Sequence, residues 1–434
     1  MADTLHTLLH DIADKAAQAT GLIVRQRQVT GSKLLKTLLF AWAQKEEASV
    51  SGLARAGFDH DLKISAQGLD KRFTQTTADF LKAVLDAAVN LPLCADSPCL
   101  PELFSRFPAI YVTDCSTVTL PEALAARYQG TGGVGQANRA GVKLDVRLEV
   151  LSGLLSLDLL QGRTSDNKSP GAAACHEPNC LRLSDLGYFN LARMREQDSR
   201  GEFWISRLQP GTAAVVGGDA TDLDRCLVAL GKKGILQWEL RAEVGAKERL
   251  PVRLLLWRVP GDQASRRRAK MKENAQNQGR KPSQAALALC DWNVMITNVP
   301  TEMLAFEEVY VLYRVRWQIE CLFKLWKTHG RLGKSRSGKP ERILCEFYVK
   351  LLVALVLHWL CLLGLWQKAH RSLVKGCQLL REQAPRLAAC VRDPSALVAL
   401  LAEFSERFHY GCLLNTRKKN PNTSQRIVSK KAFC

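Results

Sequence analysis

Apolar and polar positions divide the chain into a helical beginning, an alternating middle and a helical end. Over the first hundred residues, apolar side chains recur at helical spacing, for example at Leu34, Leu35, Leu38, Leu39 and Trp42. Two shorter segments, residues 49–56 and 65–73, flank a turn. The second begins with a capping serine and carries Lys71 and Arg72, which favours the recognition helix of a helix-turn-helix. A helical hairpin that does not bind DNA has the same pattern.

After a linker-like stretch at residues 92–101, β-prone segments dominate. Residues 109–113 form an apolar run that ends at Asp114, and residues 143–150 alternate strictly between apolar and charged side chains. This alternation and the apolar run at residues 154–160 together predict a β-hairpin.

Two more strands are predicted at residues 181–183, which lead to Asp185, and at residues 203–205. An amphipathic helix after Tyr188 separates them. Strand, hairpin, strand, helix and strand in this order predict an α/β fold with a mixed sheet.

Residues 208–290 interrupt this pattern. Apolar runs at residues 235–240 and 252–259 predict strands, and the strongly charged stretch 266–281 follows them. We therefore expect a β-rich insertion.

The last third of the chain is predicted to be helical. After a strand at residues 292–297, a long helix should begin at Pro300 and run through Lys327. Residues 351–366 are almost wholly apolar but are fewer than the roughly 20 residues that span a bilayer, so a buried core helix is favoured over a membrane span. The tail, residues 416–434, has six basic residues and no acid.

Length and charge narrow the class of protein. A chain of 434 residues should form about two or three domains. Its 61 lysines and arginines exceed its 42 acids, which gives a formal charge of +19, and residues 324–342 hold seven basic residues and one acid. A surplus of this size favours a polyanionic partner, first of all nucleic acid. Ribosome-associated and membrane-surface proteins share the feature.

The 14 cysteines are scattered without a CxxC pair, which is typical of free thiols in a reducing cytosol. Cys175, His176 and Cys180 offer three zinc ligands without an obvious fourth, so a structural zinc stays open. The N-terminus has no charged-then-apolar signal pattern, and secretion is not expected.

The most informative residues lie on the predicted long helix. Tyr313, Arg316, Glu320, Lys324 and Lys327 follow each other by three, four, four and three residues, which places them on one helical face. A carboxylate among cations and a phenol suits a metal held beside phosphates. A solvated face with ion pairs between successive turns is the alternative.

The spacing is more specific than the periodicity. Tyr313, Arg316, Glu320 and Lys327 form the pattern Tyr-x2-Arg-x3-Glu-x6-Lys. In this pattern the chain resembles the YREK transposases, the insertion-sequence family four.

Two further segments are similar to that family in the right order. Residues 111–117, Tyr-Val-Thr-Asp-Cys-Ser-Thr, resemble its first-aspartate motif. Residues 184–189, Ser-Asp-Leu-Gly-Tyr-Phe, resemble its second, usually written Asp-Arg-Gly-Tyr-Phe, and Leu186 replaces the basic residue. Residues 298–300 before the long helix are also family-like, and the resemblance covers about residues 105–370.

The resemblance implies a ribonuclease-H-like catalytic core that is interrupted by the β-rich insertion. It implies Asp114, Asp185 and Glu320 as metal ligands and catalytic residues. Three carboxylates can hold two Mg²⁺ ions about 4 Å apart, with Mn²⁺ as a substitute. One ion activates water or a 3′-hydroxyl, and the other stabilises the leaving oxygen. The implied reaction is cleavage at the ends of a DNA element followed by strand transfer into target DNA.

The resemblance also implies DNA contacts. Tyr313, Arg316, Lys324 and Lys327 would contact phosphates near the scissile bond of double-stranded end DNA. Trp292 occupies a strand position where a relative stacks a flipped base, and a core tryptophan is the alternative.

The expected domains follow the chain: end recognition (1–100), first core part (105–207), insertion (208–290), second core part (291–370), and C-terminal helices and tail (371–434). The partners would be the terminal inverted repeats and target DNA. We expect a homodimer in a synaptic complex, paired through residues 378–408, and a bacterial cytoplasmic, nucleoid-associated location without membrane contact. The alternatives are a non-catalytic, transposase-derived DNA-binding protein and a host nuclease with the same core.

Overall fold

The computed structural model describes residues 1–25, 28–93, 102–131, 139–366, 368, 370–415 and 425. The chain forms two compact units, each assembled from separate stretches of sequence. The first unit contains Met1–Leu100, Cys115–Ser165 and Gln318–Gln425. Among the described residues, the second contains 102–114 and 166–317.

The first unit begins with helices, as predicted. They are α1 (Ala2–Thr7), α2 (Ala13–Ala19), α3 (Gly31–Gln44), α4 (Val50–Gly57), α5 (Ala66–Asp70) and α6 (Gln75–Val89), with a π-helical turn between the first two. Ser49 and Ser65 cap α4 and α5, because their hydroxyls accept hydrogen bonds from the Gly52 and Gly68 amides at 3.1 and 3.0 Å. The second helix of this pair is shorter than expected, since α5 ends just before Lys71.

The predicted hairpin is confirmed in the same unit. Strand β1 (Ile110–Leu120) is followed by β2 (Ala140–Glu149) and β3 (Leu155–Gln161), which pair antiparallel. The charged face of β2 is covered as well as the apolar face: Asp145 is 2% exposed and Lys143 is 9% exposed. Asp145 accepts a hydrogen bond from the Cys115 thiol at 3.4 Å, and the Lys143 ammonium donates to the Thr164 carbonyl.

The second unit contains most of a mixed, largely antiparallel sheet. Its elements are α7 (Pro170–Ala173), β4 (Leu181–Ser184), α8 (Leu191–Ser199), β5 (Phe203–Arg207), β6 (Ala214–Val216), β7 (Asp219–Thr221), α9 (Leu223–Lys232), β8 (Gln237–Val244), β9 (Leu250–Arg258), α10 (Gly261–Asn277), α11 (Gln284–Leu289), β10 (Trp292–Thr297) and α12 (Phe306–Val315). Residues Ile110–Asp114 of β1 belong to this unit.

The strand order in the second unit is β1-β4-β5-β10-β9-β8-β6-β7. The pairs β1–β4 and β4–β5 are parallel, and the other pairs are antiparallel. The predicted α/β class with a mixed sheet is therefore confirmed. Trp204, Leu254 and Ile296 lie at its core and are almost fully buried.

The expectation of a purely β-rich stretch at residues 208–290 is wrong in part, because α9, α10 and α11 lie between its strands. Most of the charged stretch 266–281 forms α10, in which only Ala264 is buried. A helix without an apolar stripe gives no periodic signal. Its alanine, arginine, lysine and methionine residues are nevertheless good helix formers.

The predicted single helix from Pro300 to Lys327 is wrong in its start and its continuity. It begins at Phe306, where the Glu308 carboxylate accepts a hydrogen bond from the Ala305 amide at 2.9 Å. It is interrupted at Arg316 and resumes as α13 (Trp317–Lys324), which belongs to the first unit and ends in a π-helical turn, Leu325–His329.

The first unit closes with α14 (Pro340–Leu362), α15 (Leu373–Glu382), α16 (Ala384–Cys390) and α17 (Pro394–Gly411). By length and composition α14 could cross a membrane, but its apolar window is 100% buried. It is the expected core helix. The predicted linker at residues 92–101 and the basic tail at residues 416–434 lie almost entirely outside the described residues.

Candidate active site

Two of the predicted carboxylates are placed side by side by parallel strands of the second unit. In β1 and β4, Thr113 is paired in register with Ser184. Asp114 follows Thr113 within β1, which extends past the predicted strand end at Asp114 to Leu120, and Asp185 follows the last residue of β4. The two aspartates are therefore neighbours at the edge of the sheet where β4 ends. Strands are about 4.8 Å apart, which is a separation that lets both carboxylates face one ligand.

Two residues of the Tyr-Arg-Glu-Lys pattern join these aspartates in the second unit. The Tyr313 hydroxyl donates to the Ser184 carbonyl at 3.3 Å, directly before Asp185. The Arg316 guanidinium forms an ion pair with Asp114 at 3.4 Å between Nη1 and Oδ2, and both side chains are largely buried. Arg316 also lies 5.8 Å from the centroid of the Tyr313 ring.

Burial raises the pKa of Tyr313, and the neighbouring Asp185 raises it as well, whereas Arg207 and Arg316 lower it. The phenol therefore stays protonated at neutral pH and acts as a hydrogen-bond donor. With the cation of Arg316 beside it, this edge of the sheet combines oxygen ligands with donors for a phosphate.

The other predicted residues of the pattern are in the first unit. Glu320 and Lys324 lie on α13, and Lys327 lies in the π-helical turn. Lys324 is exposed, and the other two are half-buried. Burial raises the pKa of the Cys321 thiol, with Glu320 as the next largest cause.

Neither predicted group of metal ligands is assembled in the structure. Among the residues that the structure describes, no three His, Cys, Asp or Glu side chains lie close enough together to hold an ion. This holds for the acidic residues and for the possible zinc ligands. His176 instead stacks on Tyr111, with ring centroids 3.8 Å apart. Cys180 is buried and Cys175 is exposed.

A cavity of about 460 Å³ lies beside this edge of the sheet, within the second unit. Leu186 and Tyr313 line it near the aspartates, and Trp292 and Asn293 line it from the start of β10. Trp292 is 4% exposed and packs in the core. It is therefore a core tryptophan that also forms part of the cavity wall.

Arginines in this cavity were not predicted from the sequence. Arg207 and Arg267 both line it, and burial, followed by repulsion from Arg207, lowers the pKa of Arg267. Trp317 was also missed as a candidate, although it adjoins Arg316 and its exposed fraction is 56%. Exposure of a large aromatic side chain is visible only in the folded chain.

The basic cluster at residues 324–342 is less open than its composition suggests. Within the first unit, Arg331 and Arg336 both pair with Glu47, and hydrogen bonds from these two arginines lower the pKa of Glu47. Two others, Lys339 and Arg342, pair with Asp70 at 3.0 and 3.2 Å.

Asp70 directly precedes the two residues predicted to read DNA. Lys71 is exposed and Arg72 is half-buried. The two ion pairs of Asp70 therefore fix the end of α5 in the first unit.

Comparisons with known proteins define the class. Residues 105–357 match the family described as the transposase DDE domain, and this match contains Asp114, Asp185 and Glu320. The chain belongs to this family. It acts on DNA as a polynucleotidyl transferase, and the family implies dependence on a divalent metal.

Individual relatives narrow the class of enzyme to the transposases of insertion sequences. The chain is 28% identical over 369 residues to the transposase for insertion sequence element IS231D of Bacillus thuringiensis subsp. finitimus, which covers 80% of this chain and 76% of the relative. It is 26% identical over 365 residues to that of IS231B of B. thuringiensis subsp. berliner, covering 79% and 75%. The transposase for IS1151 of Clostridium perfringens is 24% identical over 363 residues, covering 79% and 76%.

Proposed function

We propose that this insertion-sequence transposase is a member of the YREK group, insertion-sequence family four, and that Asp114, Asp185 and Glu320 are its acidic triad. The observation that carries the proposal is the placement of Asp114 and Asp185 after paired residues of two parallel strands. The Tyr-x2-Arg-x3-Glu-x6-Lys pattern supplies the third carboxylate.

The donor set suits two Mg²⁺ ions, with Mn²⁺ as a substitute, because carboxylate oxygens are the ligands that these hard cations prefer. Bound there, the ions would activate the attacking water or 3′-hydroxyl and stabilise the leaving oxygen. The three acidic residues would hold and orient the ions, and the reaction would then need no nucleophile from the protein.

Tyr313, Arg316, Lys324 and Lys327 are proposed to contact phosphates near the scissile bond. A phenol that stays protonated has one hydrogen to donate, so Tyr313 would exchange its bond to the Ser184 carbonyl for one to a phosphate oxygen, without adding negative charge. The ion pair between Arg316 and Asp114 holds the guanidinium next to the reacting phosphate, where it offsets charge in the transition state. Leu186 stands where the motif usually has a basic residue, which removes one possible phosphate contact.

The cavity beside Trp292 is proposed to receive a base flipped out of the end duplex. Its size suits a nucleobase, and Trp292 and Tyr310 line it with aromatic rings. Arg207 and Arg267 add positive charge for the attached phosphate.

The domain organisation that we propose is a ribonuclease-H-like core, residues 105–207 and 291–370, interrupted by the insertion at residues 208–290. Residues 1–100, with Lys71 and Arg72, would recognise the terminal inverted repeats. Residues 371–434 would form the helical C-terminal region and the basic tail, and two protomers would act together on double-stranded end and target DNA. The enzyme would work in the bacterial cytoplasm on nucleoid DNA.

The test is strand nicking of a duplex that carries the element's own end. Asp114→Asn, Asp185→Asn and Glu320→Gln should each reduce nicking about 1,000-fold, which corresponds to about 4 kcal/mol. Gel-shift binding by the same preparations should stay near wild type. Mn²⁺ should restore the nicking that a chelator removes.

Asp219→Asn and Glu302→Gln are matched controls, because both carboxylates are exposed and neither lies at the site. They should nick like the wild type. Normal nicking by a triad variant would remove that residue from the proposed set. Binding without nicking by the wild-type chain would favour the non-catalytic alternative, and nicking without preference for the element's end would favour a host nuclease.

A further inference from the structure

The surface of α10 has no evident role in folding. From Asp262 to Lys281 the sequence contains seven basic residues and two acids. Only Ala264 is buried in α10, and a helix that is polar on all sides is not held by apolar packing. The exposed basic side chains on α10 and just past its end, here called the α10 basic surface, are Arg266, Lys270, Lys272, Arg280 and Lys281.

Specific polar contacts fix α10 to the start of β10. Arg267 donates to the Trp292 carbonyl at 3.2 Å and to the Asn293 side-chain oxygen at 2.8 Å. Arg268 forms an ion pair with Asp291. These two arginines point to the protein, so they hold the helix in place while its lysines face solvent.

The lysines of α10 can pair with an anionic partner. Among the described residues, neither Lys270 nor Lys272 has a carboxylate within ion-pair distance, whereas Arg266 pairs with Asp262 at 3.2 Å. Past the helix, the Arg280 amide bonds to the Ala275 carbonyl at 2.8 Å, which fixes the backbone that carries Arg280 and Lys281. The α10 basic surface is thus an ordered row of cations.

This row lies next to the proposed catalytic edge, within the second unit. Arg267 of α10, Leu186 and Tyr313 line the same cavity. Leu186 directly follows Asp185. A duplex held with its scissile phosphate at Asp185 therefore continues close to α10.

We propose that the α10 basic surface binds the phosphate backbone of the element's end DNA beside the scissile bond. The inference rests on the proposed function of Asp185. Successive turns of α10 are about 5.4 Å apart, so its side chains can reach several phosphates along one strand. The contact adds affinity and orientation without reading sequence.

The test compares Lys270→Ala/Lys272→Ala with Lys232→Ala/Lys233→Ala, a pair on and beside α9 that removes the same charge from the same stretch of chain. Binding is measured across salt concentrations, with a chelator present, on a duplex that spans the element's end and its flank. The α10 pair should flatten the slope of log K against log salt by about two units, at about 0.9 per phosphate contact. The α9 pair should leave the slope unchanged.

Equal changes for both pairs, or no change for the α10 pair, would overturn the proposal. A change seen only on a duplex of unrelated sequence would assign α10 to target DNA and would also overturn it. Nicking by the wild type and by Asp185→Asn is measured in parallel with Mg²⁺. If Asp185→Asn loses nicking while Lys270→Ala/Lys272→Ala keeps the wild-type salt slope, this inference fails and the proposed function stands. If the wild-type chain binds no duplex, this inference and the proposed function both fail.

Discussion

At the scale of single residues, the ion pair between Arg316 and Asp114 links strand β1 to the Tyr-Arg-Glu-Lys pattern. The side chains of both residues are about 15% exposed, and a charge pair that is this sheltered is stronger than a surface pair. Arg316 is therefore a positioning residue for Asp114 as well as a proposed phosphate contact.

Arg316→Ala should reduce nicking about 100-fold, because it removes one donor to the developing charge and also removes the ion pair that helps to position Asp114. Arg316→Lys keeps the charge but loses the two-pronged geometry, so it should recover only part of the rate. Single-turnover nicking with saturating enzyme measures the effect. Full activity of Arg316→Ala would show that the ion pair has no part in catalysis.

A second residue, His358 of α14, controls stability rather than chemistry. It is fully enclosed in the first unit, and its Nε2 donates to the Gly153 carbonyl at 2.6 Å. Burial lowers the pKa of His358 to about 4. A histidine in the unfolded chain has a pKa of about 6.5. Between about pH 4 and 6.5, His358 is therefore protonated in the unfolded chain and neutral in the folded chain.

Stability should fall as pH drops from about 6.5 to about 4, by about 3 kcal/mol from this group, since each unit of pKa difference is about 1.4 kcal/mol. His358→Gln keeps a donor for Gly153 and has no charge to gain. Chemical unfolding of both proteins at several pH values should give a difference in stability that is constant above about pH 6.5 and changes as the pH falls below it, because only the wild type loses stability from this group. A difference that does not vary with pH would contradict this account.

At the scale of elements, Arg253 and Asn298 hold the connection between β10 and α12. Arg253 is buried on β9, bonds to Glu239 at 2.6 Å and donates to the Val299 and Leu304 carbonyls at 2.8 and 2.9 Å. Asn298 accepts from the Trp204 amide at 2.8 Å and donates to the Glu202 carbonyl at 2.8 Å. These bonds fix the loop from which α12 carries Tyr313 towards β4.

Arg253→Met should lower the free energy of unfolding by about 3–5 kcal/mol, because it leaves Glu239 and two carbonyls without their partner. Arg225→Met is the matched control. Its ion pair with Asp222 is highly exposed, and its loss should cost less than about 1 kcal/mol. Denaturant unfolding measures both, and similar losses would mean that the Arg253 network contributes little.

At the scale of the whole molecule, the expected dimer surface at residues 378–408 needs correction. Most of its apolar side chains are buried inside the first unit, namely Leu380, Leu387, Val391, Leu397, Leu400 and Leu401. In addition, Arg381 donates to the Ala43 carbonyl at 3.1 Å. Truncation after His370 would therefore damage the fold of this unit, and ordinary core packing explains these residues.

A dimer requirement is better tested by mixing protomers. Cleavage of both ends of one element needs two active sites, and one chain has one proposed triad. At a wild-type concentration too low for cleavage, added Asp185→Asn should raise cleavage of single ends, because the inactive protomer still supplies the partner. Doubly cut DNA should stay rare, because a mixed dimer has one active site. Gel separation of singly and doubly cut DNA measures this. Inhibition by the added variant at every concentration would contradict the dimer.

The sequence by itself determined the features that depend on neighbouring residues. Alternation predicted the β2–β3 hairpin, apolar runs predicted β4, β9 and β10, and a capping serine predicted the start of α5. Each reflects local geometry, since a strand repeats every two residues and a helix every 3.6. The motif around Glu320 was visible because its spacing matches the pattern of a known family, although the helix predicted to carry it is interrupted at Arg316.

Tertiary structure alone decided the rest. The Arg316–Asp114 pair joins residues 202 positions apart, and no periodicity encodes such a contact. Lys143 and Asp145 were visible as a polar face, but only packing could bury that face. The helix α10 has no apolar stripe, and its place is set by Trp292 and Asn293. These features depend on which helices and strands pack against each other. A local sequence pattern cannot predict them, because it shows only on which side of its own helix or strand a residue lies.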